Sequence, residues 1–208
     1  VSDETKAAAA AEGTRCGYVA ILGAPNAGKS TLTNALVGAK ISIVTPKVQT
    51  TRTRVIGIAI VGRTQLVLLD TPGIFAPRRR LDRAMVAAAW QGARDADIVC
   101  LLADAARGYD HDTERIAGEL ARAGRKAILV INKIDKTEKP KLLALSEAIN
   151  RTGIFTDTFM ISALSGDGVA DLRDHLAARA PEGPWLYPED QLSDLPLRLM
   201  AAELVREQ

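Results

Sequence analysis

Apolar positions along the chain fall into two kinds of cluster. Residues 18–23 (YVAILG), 97–104 (DIVCLLAD), 126–132 (KAILVIN) and 157–162 (DTFMIS) are short runs with little alternation. That is the pattern of strands buried on both faces. After residue 29, Leu32, Ala35 and Leu36 recur at helical spacing, and further helical segments fall near 81–93, 111–123, 140–151 and 168–178. The runs 54–62 (RVIGIAIVG) and 64–70 (TQLVLLD) sit on either side of the turn VGRT and predict a hairpin. Strands alternating with helices predict an α/β fold. It is a three-layer, mostly parallel six-stranded sheet with one antiparallel strand and helices on both faces. Every strand but the hairpin's first ends in a polar cluster: GAPNAGKS, DTPG, DAARG, NKID and SALSG. In open sheets of this kind a ligand lies beyond the carboxyl ends of the strands, so those clusters mark the site.

The ends of the chain read differently. Residues 1–15 contain acidic residues and only a short alanine run, and are expected to form a disordered tail. The globular domain is expected over 16–180. The three prolines of PEGPWLYPEDQ predict a linker over 181–194. Leu197, Met200, Ala201 and Leu204 then mark one face of a helix over 195–208 that reaches Gln208 without a glycine or proline stop. It is expected to open a further domain.

Composition narrows the classes. The 208 residues are 47% hydrophobic and 25% charged, as in soluble globular proteins, and the net charge of +2 makes any basic surface local. Cys16 and Cys100 lie far apart without ligand spacing and are expected to be reduced thiols. No apolar run approaches membrane-spanning length.

GAPNAGKST, residues 23–31, matches G-x-x-x-x-G-K-[ST] through Gly23, Gly28, Lys29 and Ser30. A strand passes into a helix through small residues, so backbone N–H groups of Asn26, Ala27, Gly28 and their neighbours through Thr31 can surround phosphate oxygens. The helix start adds its positive dipole end. Lys29 is expected to reach the β- and γ-phosphates, and the Ser30 hydroxyl to ligate Mg²⁺. Asp70 closes an apolar strand and opens DTPG (Asp70, Thr71, Pro72, Gly73). A carboxylate there suits outer-shell Mg²⁺ binding, and Gly73 leaves its N–H free to approach a γ-phosphate. In NKID (residues 132–135) the Asp135 carboxylate can accept from guanine N1–H and the 2-amino group. Adenine would leave it unpaired. Asn132 suits the guanine edge and loop bracing, and the Lys133 stem can lie over the ring. SALSG brings Ser162, Ala163 and Leu164 to the same end, where the Ala163 N–H can meet guanine O6. A guanine-nucleotide switch follows. An ATP-using P-loop enzyme is the competing class, which Asp135 argues against, and a non-hydrolysing signalling module is a third.

These five motifs in this order resemble those of translation-factor-class GTPases. QTTRTR (49–54), DTPG and the C-terminal stretch narrow the resemblance to the Era-like ribosome-assembly GTPases, over residues 18–208. The resemblance implies Mg²⁺-dependent hydrolysis of GTP to GDP in assembly of the small (30S) ribosomal subunit and maturation of 16S rRNA. It implies a C-terminal KH domain for RNA, although the chain contains no G-x-x-G clamp. It also implies a monomer in the cytoplasm, with peripheral association at the inner membrane. The first switch falls on Gln49, Thr50, Thr51, Arg52 and Thr53. Thr50 and Thr51 compete to close on Mg²⁺ and the γ-phosphate, with Thr51 favoured. Lys29, Thr51, Gly73 and Ile74 are the catalytic candidates. Ile74 stands where many GTPases place a water-orienting glutamine. Asn26 matches a position that ligates an activating K⁺ in related GTPases, and loop bracing by its side chain is the alternative. Lys47, Arg52, Arg54, Arg78, Arg79 and Arg80 lie in or beside the switches, as solvated charge or as an RNA contact. His111 and His175 are expected at the surface.

Overall fold

The computed structural model describes residues 13–42, 55–75 and 80–193. Six strands, β1 (Arg15–Gly23), β2 (Val55–Val61), β3 (Thr64–Asp70), β4 (Ile98–Asp104), β5 (Ala127–Asn132) and β6 (Phe155–Ile161), form one sheet in the order β2-β3-β1-β4-β5-β6. Only β2 runs antiparallel, against β3, as the hairpin pattern predicts. Among the described residues the α-helices are α1 (Lys29–Val37), α2 (Arg80–Asp95), α3 (His111–Arg122), α4 (Lys139–Asn150) and α5 (Val169–Arg179). Strand order reverses at β1, which places the loop after β1 at the crevice where such sheets bind ligands.

The continuous apolar runs are explained by cover on both faces. Val19, Ile21, Leu66, Leu68 and Leu102 pack with Leu32, Leu36, Leu172 and Leu176 of α1 and α5. The alternate residues Ala20, Leu22, Val67, Leu69 and Leu101 pack with Ala89, Ala93, Ile116 and Leu120 of α2 and α3. Leu129 and Ile131 meet Leu142, Leu145 and Ile149 of α4.

Three expectations change. Strand β1 begins at Arg15, earlier than its apolar run, because Arg15, Cys16 and Gly17 pair in register with Thr64, Gln65 and Leu66. Residues 13–15 are therefore not free tail; Gly183 N donates to Thr14 O at 3.1 Å and Thr14 Oγ1 donates to Gly183 O at 3.0 Å. The proline-rich stretch 181–193 is a strap bound to the sheet. Gln65, fully buried in β3, accepts from Leu186 N (2.8 Å) and Tyr187 N (3.0 Å) on Oε1 and donates Nε2 to Tyr187 O (2.8 Å). Farther on, Ile58 N donates to Leu192 O at 2.9 Å and Ser193 bridges to Gly57, both on β2. Residues 1–12 and the helix expected over 195–208 lie outside the described residues. His175 is the third correction. It is half-buried, with its ring edge-on to Phe159 (centroids 4.9 Å apart) and Nε2 3.5 Å from Asp157 Oδ2, whereas His111 is exposed at the start of α3. Both cysteines are free, and burial pushes the Cys100 thiol up to about 12. No helix among the described residues is long and apolar enough to cross a membrane.

Candidate nucleotide site

The N-terminus of α1 is built unlike an ordinary helix start. Its cap is Gly28 in a left-handed conformation (φ 100°), with no side-chain capping bond and no acidic residue in the first turn. Helix α3 shows the usual solution, with Asp110 accepting from Thr113 N at 2.8 Å and acidic residues following. The first amide hydrogens of α1 have no intrahelical partner, and the helix dipole favours an anion there.

Around that start, each carbonyl of residues 23–27 is taken from outside the loop or by Lys29. Lys29 Nζ donates to Gly23 O (3.2 Å) and Ala24 O (2.9 Å), and Ile74 N also donates to Gly23 O (3.0 Å). Arg107 Nη1 donates to Pro25 O at 3.2 Å, Lys133 Nζ to Asn26 O at 2.7 Å, and Asn132 Nδ2 to Ala27 O at 2.9 Å. Such a loop offers an incoming ligand donors rather than acceptors. Glycine is required at two of its contacts. A Cβ on Gly28 would lie 2.3 Å from Asn132 Nδ2, and one on Gly73 would lie 2.9 Å from the Pro25 backbone. Lys29 is buried, and desolvation holds its ammonium down to about 8 against the pull of Asp70.

Ser30 Oγ donates to Asp70 Oδ2 at 2.8 Å, and both residues are buried. These are two hard oxygen donors side by side, at the helix start and the end of β3, and they fit a magnesium ion with its outer-shell carboxylate. Thr71 Oγ1 donates to Ile21 O at 2.7 Å, which pins the DTPG turn to β1, and Pro72 is buried beside it. Ile74 is 1% exposed and belongs to the core beneath α2, so its side chain points away from the loop. Gln49 to Thr53, the first-switch motif with both threonine candidates, lies outside the described residues, as do Lys47, Arg54, Arg78 and Arg79.

A cavity of about 120 Å³ adjoins the cradle, lined by Gly28, Thr31, Asn132, Lys133, Asp135, Lys136, Ser162, Ala163 and Leu164. The three motifs NKID, SALSG and the P-loop thus meet as their spacing predicts. Asp135 is exposed in a 3₁₀ turn (Ile134–Lys136), and Leu164 is 80% exposed. Asn132 is a brace, joining Ala27 O on one side and accepting from Ala163 N at 2.9 Å on the other. The Ala163 N–H, expected at guanine O6, donates to Asn132 Oδ1 in this structure. Ser162 serves its own loop, with Oγ accepting from Ser165 N at 3.3 Å. The Asn26 side chain is exposed and makes no hydrogen bond among the described residues, so its carbonyl rather than its amide is what the loop bracing uses. Arg107, Asp104 and Lys136 are site residues that the sequence reading missed. The polar cluster DAARG after β4 was the visible signal for Asp104 and Arg107, and Lys136 directly follows NKID.

Comparison with known proteins agrees with this geometry. Residues 18–133 match the family described as 50S ribosome-binding GTPase. GTPase Era of Afipia carboxidovorans is 60% identical over 194 residues, covering 93% of this chain and 63% of that protein. GTPase Era of Rhizobium meliloti is 58% identical over 200 residues, covering 96% of this chain and 64% of the relative. Among solved structures, Era in complex with MgGDPNP and nucleotides 1506–1542 of 16S ribosomal RNA superposes with a TM-score of 0.87 at 42% identity, over 93% of this chain and 66% of that one. The chain thus spans about two thirds of the length of these relatives. With more than half of its residues inside the family match, the chain belongs to the 50S ribosome-binding GTPase family, in its Era-like branch.

Proposed function

We propose that the chain binds GTP with Mg²⁺ and hydrolyses it to GDP, as a switch acting on the small ribosomal subunit and its 16S rRNA. The observation that carries the reading is the Asp135 carboxylate in a cavity that opens onto an uncapped helix start, a base reader and a phosphate cradle in one site. Ser30 and Asp70 would hold the magnesium, which neutralises charge between the phosphates. Lys29 would leave the carbonyls of Gly23 and Ala24 for phosphate oxygens, and Thr51 or Thr50 would close from the first switch. Because Ile74 is buried, the attacking water is oriented by backbone and solvent rather than by that side chain. The relative solved with MgGDPNP and 16S rRNA supports the cofactor and the small-subunit assignment, while the family's description, 50S ribosome-binding, favours the large subunit instead. GTP turnover measured alone, with 30S and with 50S subunits separates the two. Stimulation by 30S is expected, and stimulation by 50S only would overturn the assignment.

Potassium is part of the proposal. Asn26 projects an exposed amide beside the cradle while its carbonyl is held by Lys133, so the amide is available to a cation between the phosphates. Hydrolysis is expected to run faster in KCl than in NaCl at equal ionic strength, and Asn26→Ala to remove the difference. Equal rates in the two salts would sink the idea.

A further inference from the structure

Two residues other than glycine have positive φ in the described backbone, Asn26 (63°) and Lys133 (66°). A left-handed conformation outside glycine is strained, and such strain persists only where surrounding contacts hold it. These two residues hold each other, for Lys133 Nζ donates to Asn26 O at 2.7 Å. The bond joins the phosphate loop to the base-reading loop.

The ammonium has a second partner. Asp104, the last residue of β4, is nine-tenths buried, and its Oδ2 lies 2.6 Å from Lys133 Nζ. Its Oδ1 accepts from Ala106 N at 3.0 Å, and its backbone O accepts from Arg107 N at 3.0 Å, so the carboxylate is fixed by its own turn. Asp104 does not line the cavity; Lys133 does. A lysine has a long stem with several rotatable bonds, and ordering it on ligand binding is costly. Here the stem is stretched between a fixed Cα and a fixed Nζ before any ligand arrives.

We propose that Asp104 is a positioning residue of the nucleotide site. By holding Lys133 Nζ against Asn26 O, it sets the lysine stem as the cavity wall and locks the base-reading loop to the phosphate loop. Arg107, three residues on, extends the same clamp to Pro25 O. This role rests on the guanine-nucleotide reading above, and it assigns the DAARG cluster to that site.

The test is a double-substitution cycle on the 208-residue chain, read by titration of fluorescent GDP with Mg²⁺ present. Asp104→Asn keeps the size of the side chain and an acceptor for Ala106 N while removing the charge. It is expected to weaken GDP binding by about tenfold or more. In a Lys133→Met background the same change is expected to shift Kd by less than about twofold, since its target is gone. Asp104→Ser, whose hydroxyl also caps the turn, gives a second route should the asparagine variant fold poorly. An equal loss in both backgrounds would overturn the proposal, because Asp104 would then act through the fold and not through Lys133. An Asp104→Asn variant with Lys133 intact that binds GDP as tightly as the parent would overturn it as well. A parent chain that binds no guanine nucleotide is a separate failure, that of the GTPase reading itself.

Discussion

Among the residues lining the cavity, Asp135 carries the only carboxylate, and base selection is argued from that one group. Asp135→Asn replaces an acceptor with an NH₂ donor, which matches the carbonyl that xanthine has in place of the guanine 2-amino group. A hydrogen bond to a charged group is worth about 1.5 to 3 kcal/mol, so preference is expected to swing from GTP toward XTP by at least tenfold. Competition binding reads this directly, and an unchanged preference for GTP would remove Asp135 as the base reader. Lys29 makes a different prediction. Its ammonium is held at about 8 when folded, against an ordinary value of 10.5, so between those values the unfolded chain carries a proton that the folded chain does not. Stability of the nucleotide-free protein is therefore expected to rise with pH across that window. The burial cost is fully present below pH 8 and is on the order of 3 kcal/mol. Urea unfolding at pH 7.5 and 9.5 checks the sign, and Lys29→Met should flatten the dependence. The residues that sequence reading reached, Lys29, Ser30, Asp70, Asn132 and Asp135, have side-chain chemistry and motif spacing that are diagnostic by themselves. Asp104 and Arg107 escaped because their meaning lies in which carbonyl or ammonium they meet across the sheet. Ile74 was visible as an apolar residue, but its place in the core was not.

At the scale of elements, the strands and helices were legible because both faces of the sheet are covered, which turns each strand into an unbroken apolar run. The strap was not legible, since prolines and absent periodicity look alike in a free linker and in a chain pinned by backbone bonds. Gln65 was equally silent, one polar residue in an apolar strand. Its amide makes three bonds of 2.8 to 3.0 Å to the strap, and Gln65→Leu removes all three. A loss of about 1 to 3 kcal/mol is expected in denaturant unfolding, together with faster proteolysis within 181–193. Wild-type proteolysis in that variant would show that the strap is held by its β2 contacts instead.

For the whole molecule, the two thiols are built-in reporters of two kinds of opening. Cys100 is 1% exposed in β4 at the centre of the sheet, and its elevated thiol is almost wholly protonated at neutral pH. Cys16 is half-buried, and its Sγ lies 3.7 Å from Gln65 Oε1, beside the strap. Thiol reagents are expected to modify Cys16 when the strap lifts and Cys100 only on global unfolding. GDP at a hundredfold excess over Kd should slow Cys100 labelling about a hundredfold while changing Cys16 little. Equal protection of both would mean that strap and sheet open as one unit. The strap also bears on how molecules of this chain meet one another. A sheet edge is a row of unpaired donors and acceptors, a template for strands of a second copy. Leu192 and Ser193 occupy that row on β2 at Ile58 and Gly57. A protein shortened to end at Ala180 would keep its hydrophobic core and its nucleotide site. It would nevertheless bare the β2 edge, and its expected fate is edge-to-edge polymerisation on concentration rather than loss of fold.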